Sequence, residues 1–146
     1  MKHFTLFRVA AYLTLLFCAG HTAGGMLQQK SLGAASDAVF SAMKATHFTF
    51  NGADCTWYGF WFGFGLTVSA FLVLVAVTTL VLDRVTPQAW PQVQAVAWTV
   101  IAAMTFNGIM AFRYFFAGPT VFSVIIVALL LTGTLRKSRA AAAQVP

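Results

Sequence analysis

The sequence predicts an all-α integral membrane protein, a bundle of four helices with a short amphipathic helix in the first extracytoplasmic loop. Two observations support this prediction. The 146 residues are 60% hydrophobic and only 8% charged, whereas soluble domains are about half apolar and a quarter charged. The apolar residues also fall into four long runs, each near the roughly 20 residues that a helix needs to cross hydrocarbon.

A single membrane domain is expected over residues 1–139, followed by a C-terminal tail at 140–146. The predicted spans are residues 5–26, 57–82, 93–112 and 119–135. The second is the clearest, because it contains no charged residue. The first also resembles a secretory signal peptide, with Lys2 and Arg8 before an apolar core. We interpret it as a span because GHTAGGM, which follows that core, lacks a convincing small-residue cleavage site.

The distribution of Lys and Arg predicts that both termini are cytoplasmic, in a bacterial inner membrane, because cytoplasmic loops are enriched in these residues. On the inner side this orientation places Lys2, Arg8, Arg84, Arg136, Lys137 and Arg139. On the outer side it places Lys30, Lys44 and Arg113. The net charge of +6 is thus explained by topology and contact with anionic lipid, and we expect no nucleic-acid partner.

The loop at residues 27–56 has a pattern of its own. A one-sided stripe recurs at helical spacing, at Val39, Phe40, Met43 and His47. It predicts an amphipathic helix from Ser36 to about Ala45 that lies on the outer membrane surface or covers the bundle. A turn is predicted at Asn51–Gly52.

Two cysteines are too few for a disulfide framework. Cys18 and Cys55 also lack the spacing of a zinc site, so we expect no metal and no cofactor. Cys18 lies in an apolar run, where a buried reduced thiol is usual. A bond between the two cysteines stays open, although Cys18 is predicted to lie deep for disulfide geometry.

Glycines at four-residue spacing favour close helix packing in lipid. Gly20 and Gly24 form one such pair, and Gly59 and Gly63 form another. Both pairs fall in the outer half of the predicted bundle, which predicts a close contact between the first two spans. The alternative is that these glycines make room for a ligand.

Few polar groups occupy the predicted spans. His21 is the most informative, since ionisable residues inside membranes are functional candidates, but it could equally donate a hydrogen bond to a neighbouring carbonyl. His47 and Asp54 could complete a polar cluster with it. Asn107 is expected to join helices, and Arg113 to reach the headgroups or pair with Asp54.

Aromatic residues predict two interfacial belts. The outer belt consists of Trp57, Tyr58, Trp61 and Tyr114, and the inner belt contains Trp90. Amphipathic rings of this kind prefer the boundary between lipid and water, so the belts agree with the predicted spans.

Three segments together resemble a family of small bacterial membrane proteins: GHTAGG at 20–25, FTFNG at 48–52 and WYGFWFGFGLTVSAFLVLVA at 57–76. The pattern covers about the first half of the chain and is moderately specific only as a combination. The resemblance implies a four-helix membrane protein. It implies no catalytic residues.

The main functional expectation is a non-enzymatic binding or accessory module for a lipid-like, apolar small molecule or a membrane partner. The predicted ligand-binding residues are His21, His47, Asn51, Asp54, Trp57, Trp61, Asn107 and Arg113. Two alternatives stay open. One is a membrane-embedded enzyme that uses His21 or His47 as acid or base, assisted by Asp54 or Arg113. This alternative predicts at least two of these residues within hydrogen-bond reach of one cavity. The other is a structural or assembly subunit, and a homo-oligomer agrees with either.

Overall fold

The computed structural model describes residues 5–28 and 30–144, so Lys2 and the last two residues of the predicted tail lie outside the described residues. The chain begins with helix α1 (Leu6–Ala19), which continues directly into a π-helix (Gly20–Leu27). Next come helix α2 (Ala34–Ala45) and the strands β1 (His47–Phe50) and β2 (Ala53–Thr56). The described chain ends with three long helices, α3 (Trp57–Arg84), α4 (Trp90–Tyr114) and α5 (Ala117–Ala142).

Within the described ranges, four helical segments are long and apolar enough to cross a membrane, as the sequence predicted. They are Leu6–Leu27, Trp57–Arg84, Trp90–Tyr114 and Ala117–Ala142. In the most apolar stretch of each, only 28% of the residues are buried by protein. Most of this apolar surface therefore faces outward, which is the pattern of a multi-pass membrane protein.

The last helix is longer than predicted. We predicted a span ending at residue 135 and a tail from 140, but α5 continues through Ala142. Alanine is the strongest helix former, and Ala141 is buried, so the alanine run extends the helix. Asp83 and Arg84, which follow the predicted second span at 57–82, likewise belong to the last turn of α3.

The described chain divides into two compact units. The central unit is Cys18–Phe71, and the terminal unit contains the residues before and after it. Helices α1 and α3 contribute to both units, because each crosses a boundary between them.

In the terminal unit, α4 packs along α5 through a small polar contact. The side-chain amide of Asn107 donates a hydrogen bond to the Ser123 hydroxyl at 3.0 Å, and Ser123 donates to the Pro119 carbonyl at 2.9 Å. A Cβ on Gly108 would lie 3.1 Å from the Ser123 Cβ, so the two helices approach closely here. Asn107 thus joins α4 to α5, as we predicted from its position within a span.

A buried polar cluster lies where α3 ends. The Lys137 ammonium donates hydrogen bonds to the carbonyls of Leu82, Asp83 and Val85 at 2.6, 2.9 and 2.8 Å. The Asp83 carboxylate, whose side chain is 3% exposed, binds the Arg8 guanidinium at 2.7 Å. It also accepts a hydrogen bond from the Thr5 hydroxyl.

Trp90 belongs to the same cluster. Its indole N–H donates to the Ser138 hydroxyl at 2.9 Å, and its ring meets that of Phe7 edge-on with centroids 5.9 Å apart. The residue is fully buried. The prediction that Trp90 is an interfacial anchor is therefore wrong, because an anchor must reach the lipid headgroups.

Candidate functional site

The candidate site begins with the β-hairpin of the central unit. Strands β1 and β2 are antiparallel, with His47 opposite Thr56 and Thr49 opposite Asp54. The turn residues Asn51 and Gly52 have φ angles of 51° and 84°, which is the left-handed pair that a two-residue type I′ hairpin requires. The Asn-Gly dipeptide thus determines the register of the strands.

This register brings His47 and Asp54 together. Side chains alternate between the two faces of a strand, so both residues lie on the same face of the hairpin. The His47 Nδ1–H donates to the Asp54 carboxylate, at 2.9 Å from Oδ2 and 3.1 Å from Oδ1. With 61% and 71% of these side chains exposed, the pair contributes at most about 1 kcal/mol to stability.

The other hairpin face packs against the start of α3 through aromatic rings. The Phe48 ring centre lies 4.7 Å from the ring centre of Trp57 and 5.7 Å from that of Phe60. Phe50 meets Phe60 edge-on at 5.9 Å. Such pairs each add about 0.5–1.5 kcal/mol beyond the area they bury, so these contacts hold the hairpin on the helix.

Thr56 links the hairpin to α3. Its hydroxyl accepts a hydrogen bond from the Gly59 backbone N–H at 3.0 Å, which is the geometry of a helix N-cap. Because β2 ends at the residue that caps α3, the direction of the strand and the start of the helix are set together.

A groove of about 550 Å³ lies below the His47–Asp54 pair. From the hairpin it is lined by His47, Asp54, Cys55 and the capping residue Thr56, and from the helix by Gly59, Phe60, Gly63, Phe64 and Thr67. The helical residues are spaced three and four positions apart, and therefore form one stripe of α3. At 1.5 Å per residue, the stripe from Thr56 to Thr67 is about 16 Å long. We call this the hairpin groove.

The hairpin groove is polar at one end and apolar along its length. Phe60 and Phe64 provide ring surfaces whose centres lie 6.0 Å apart. The Thr67 hydroxyl donates to the carbonyl of Gly63 at 3.0 Å, so it is already satisfied within its helix. This arrangement suits a molecule with a polar head and a hydrocarbon chain.

The structure does not place a close contact between helices at the glycines that the sequence predicted. A Cβ on Gly20, Gly24 or Gly63 would meet no heavy atom within 4 Å, and one on Gly59 would lie 3.2 Å from the Thr56 hydroxyl of its own cap. The close approach is at Gly65, where a Cβ would lie 2.1 Å from the Met26 methyl group. Gly59 and Gly63 instead line the hairpin groove.

His21 lies outside the lining of the hairpin groove and bonds the π-helix to α3. Its Nε2–H donates to the Gly65 carbonyl at 2.9 Å. One turn along, the Thr22 and Ser69 hydroxyls are 2.8 Å apart, and the Cys18 thiol donates to the Ser69 carbonyl at 3.5 Å. The predicted cluster of His21 with His47 and Asp54 is therefore split. His47 and Asp54 line the hairpin groove, whereas His21 bonds to Gly65.

Each of the remaining predicted site residues has a contact or position of its own. Asn51 forms the hairpin turn, and Trp57 covers Phe48 with 56% of its own surface exposed. Trp61 meets the ring of Phe40 edge-on at 5.4 Å. The Arg113 guanidinium lies 5.4 Å from the centre of the Tyr114 ring.

Both cysteines are free thiols, Cys18 buried and Cys55 half-buried. Among the residues that the structure describes, no three His, Cys, Asp or Glu side chains gather closely enough to hold a metal ion. The chemical groups of the hairpin groove are therefore an imidazole, a carboxylate, a thiol and hydroxyls on an aromatic wall.

Comparisons with known protein families, curated proteins and solved structures find no match to this chain.

Proposed function

We propose that this protein is a multi-pass bacterial inner-membrane protein that binds an amphiphile in the hairpin groove, with its hydroxyl head at His47. Four long apolar helices support the membrane assignment. The excess of Lys and Arg beside the inner ends supports cytoplasmic termini. Helix α2 and the hairpin then lie on the outer side, at headgroup level.

The orientation is tested with reporter fusions. Green fluorescent protein fused to the C-terminus fluoresces in the cytoplasm, and alkaline phosphatase inserted after Gly52 is active only outside. Both reporters are expected to be active. Loss of fluorescence from the C-terminal fusion, together with an inactive phosphatase, would show that the orientation is the opposite one.

The single observation that supports the ligand is the position of the His47–Asp54 pair above an apolar stripe. The Asp54 carboxylate accepts the Nδ1 proton, and in the tautomer that this bond selects Nε2 is a hydrogen-bond acceptor. An acceptor binds a ligand O–H. The stripe from Thr56 to Thr67 extends about 16 Å, which is long enough to accommodate a hydrocarbon chain of roughly a dozen carbons.

Photocrosslinking in lipid nanodiscs tests this function. A diazirine-bearing long-chain alcohol is expected to label residues 56–67, and hexadecanol is expected to compete. Hexadecyl methyl ether is expected to compete about tenfold less well, because it lacks the hydroxyl proton.

Two matched variants test whether the ligand binds in the hairpin groove. Gly63→Leu fills the hairpin groove without meeting protein atoms at Cβ, and should abolish the labelling. Gly20→Leu makes the same change at an exposed glycine with open space at Cβ that does not line the hairpin groove, and should leave the labelling intact. Equal labelling of both variants, or equal competition by alcohol and ether, contradicts the proposal.

A second candidate function is acid–base catalysis by His47. It is favoured by the same pair, since a carboxylate on Nδ1 orients a histidine as a general base. His47 and Asp54 also meet the requirement that two polar groups share one cavity. Release of hexadecanol from hexadecyl acetate, abolished by His47→Gln but retained in Gln28→Ala, would favour the enzyme over the binding module.

A further inference from the structure

A second groove, of about 570 Å³, lies in the central unit beside α2. We call it the α2 groove. Its walls are the end of the π-helix, the segment at residues 30–32, one face of α2 and Trp61 of α3. None of these residues lines the hairpin groove, so the two grooves can be altered separately.

The floor of the α2 groove is aromatic and its rim is apolar. Phe40 and Trp61 pack edge to face with centroids 5.4 Å apart. Leu32 lines the groove with 80% of its surface exposed, and Val39 on α2 is 58% exposed. Exposed large apolar residues next to a groove are typical of a surface that meets lipid.

Charges of both signs line the same groove. Lys30 and Lys44 contribute two ammonium groups, and Asp37 contributes one carboxylate. The Lys44 nitrogen lies 4.8 Å from the centre of the Tyr58 ring, and the Tyr58 ring centre lies 5.6 Å from that of Trp61.

The carboxylate is held in place by its neighbours. The Ser31 hydroxyl donates to Asp37 Oδ2 at 2.6 Å and accepts the Gly33 N–H at 3.3 Å. The Asp37 N–H donates to the Gly33 carbonyl at 3.0 Å. The Ser31 hydroxyl therefore holds the Asp37 carboxylate in a lining that also contains Lys30 and Lys44.

We propose that the α2 groove binds the headgroup of a phospholipid that carries both a phosphate and a primary ammonium, as phosphatidylethanolamine does. The two lysines bind the phosphate, and Asp37 binds the ammonium. A headgroup with a phosphate alone, as in phosphatidylglycerol, leaves Asp37 unpaired beside an anion. The proposal depends on membrane insertion at headgroup level, and is independent of any ligand in the hairpin groove.

Native mass spectrometry of the full chain in detergent tests the proposal with lipids of matched acyl chains. The wild type is expected to bind phosphatidylethanolamine about tenfold more tightly than phosphatidylglycerol, since one charge-assisted contact distinguishes them. Asp37→Asn should remove this preference by weakening phosphatidylethanolamine alone. Lys30→Gln with Lys44→Gln should weaken both lipids at least tenfold.

Arg113→Gln is the matched control, because it removes an exposed positive charge outside the α2 groove and should leave both affinities unchanged. All the substituted side chains are exposed, and an unchanged circular dichroism spectrum confirms folding. Equal affinity for the two lipids in the wild type, or a preference that survives Asp37→Asn, overturns the proposal. Binding of free phosphoethanolamine as tight as that of the lipid overturns the assignment to a membrane lipid.

Discussion

The ammonium nitrogen of Lys137 lies 2.6 Å from the carbonyl oxygen of Leu82, in the last turn of α3. Final carbonyls of a helix have no partner within the helix, and a cation there also meets the negative end of the helix dipole. The rings of Phe7 and Trp90 flank the same ammonium, with centres at 5.4 and 5.2 Å. Lys137 thus caps α3 from another helix.

Lys137→Met is expected to lower the free energy of unfolding by about 2–3 kcal/mol, because it leaves carbonyls without their charged donor. Thermal unfolding in detergent, followed by circular dichroism, measures the loss. Arg136→Gln is the control, since Arg136 is exposed and its loss should change stability by less than about 0.5 kcal/mol. Equal stability of the two variants would show that Lys137 does not cap α3.

Arg8→Met should destabilise the protein by about 3 kcal/mol, because it leaves the buried Asp83 carboxylate without its charged partner. Adding Asp83→Asn to that variant removes the uncompensated charge. The double variant is therefore expected to be more stable than Arg8→Met alone, measured by the same unfolding assay. If the second substitution lowers stability further, the two side chains do not act as a pair.

Gly65→Ala and Gly63→Ala should differ in their effect on stability, although the two positions are only two residues apart. Alanine is favoured over glycine in a helix by about 1 kcal/mol, so Gly63→Ala, with open space at Cβ, should be neutral or stabilising. At Gly65 the new methyl must displace the flexible end of the Met26 side chain, which offsets part of that gain, so Gly65→Ala should be less stable than Gly63→Ala. A melting temperature at or above that of Gly63→Ala would contradict this packing.

Gly52→Ala is expected to loosen the hairpin by about 1 kcal/mol, because φ there is 84° and a Cβ disfavours that conformation. Hydrogen exchange at residues 47–56 should become faster. Gly25→Ala is the control, as it lies outside the hairpin with open space at Cβ. Unchanged exchange in the hairpin would mean that the turn conformation does not limit its opening.

Much of the fold was predictable because hydrophobic length is a strong signal. The four long helices follow from the runs of apolar residues, and the turn at Asn51–Gly52 follows from its dipeptide. The ends of the helices were less predictable. Lys137 follows an apolar run, where a basic residue normally indicates a lipid interface, and only the packing of α1 and α4 residues around it reveals its burial.

The candidate site was only partly predictable. His47 and Asp54 were both selected, but their contact depends on strand pairing, which residue types alone do not specify. Gly65 was missed because the four-residue spacing pointed to Gly59 and Gly63. The spacing of Thr56, Phe60, Gly63 and Thr67 was visible in the sequence and could have identified the groove stripe.

The π-helix at Gly20–Leu27 has a consequence for insertions and deletions in this chain. Its hydrogen bonds span five residues instead of four, so this stretch holds more residues per turn than α1 before it. Removing one residue between Ala23 and Gly25 would let the segment rewind as ordinary α-helix. His21 and Met26 would then no longer lie on the same face of the helix, and one of them would lose its contact with Gly65.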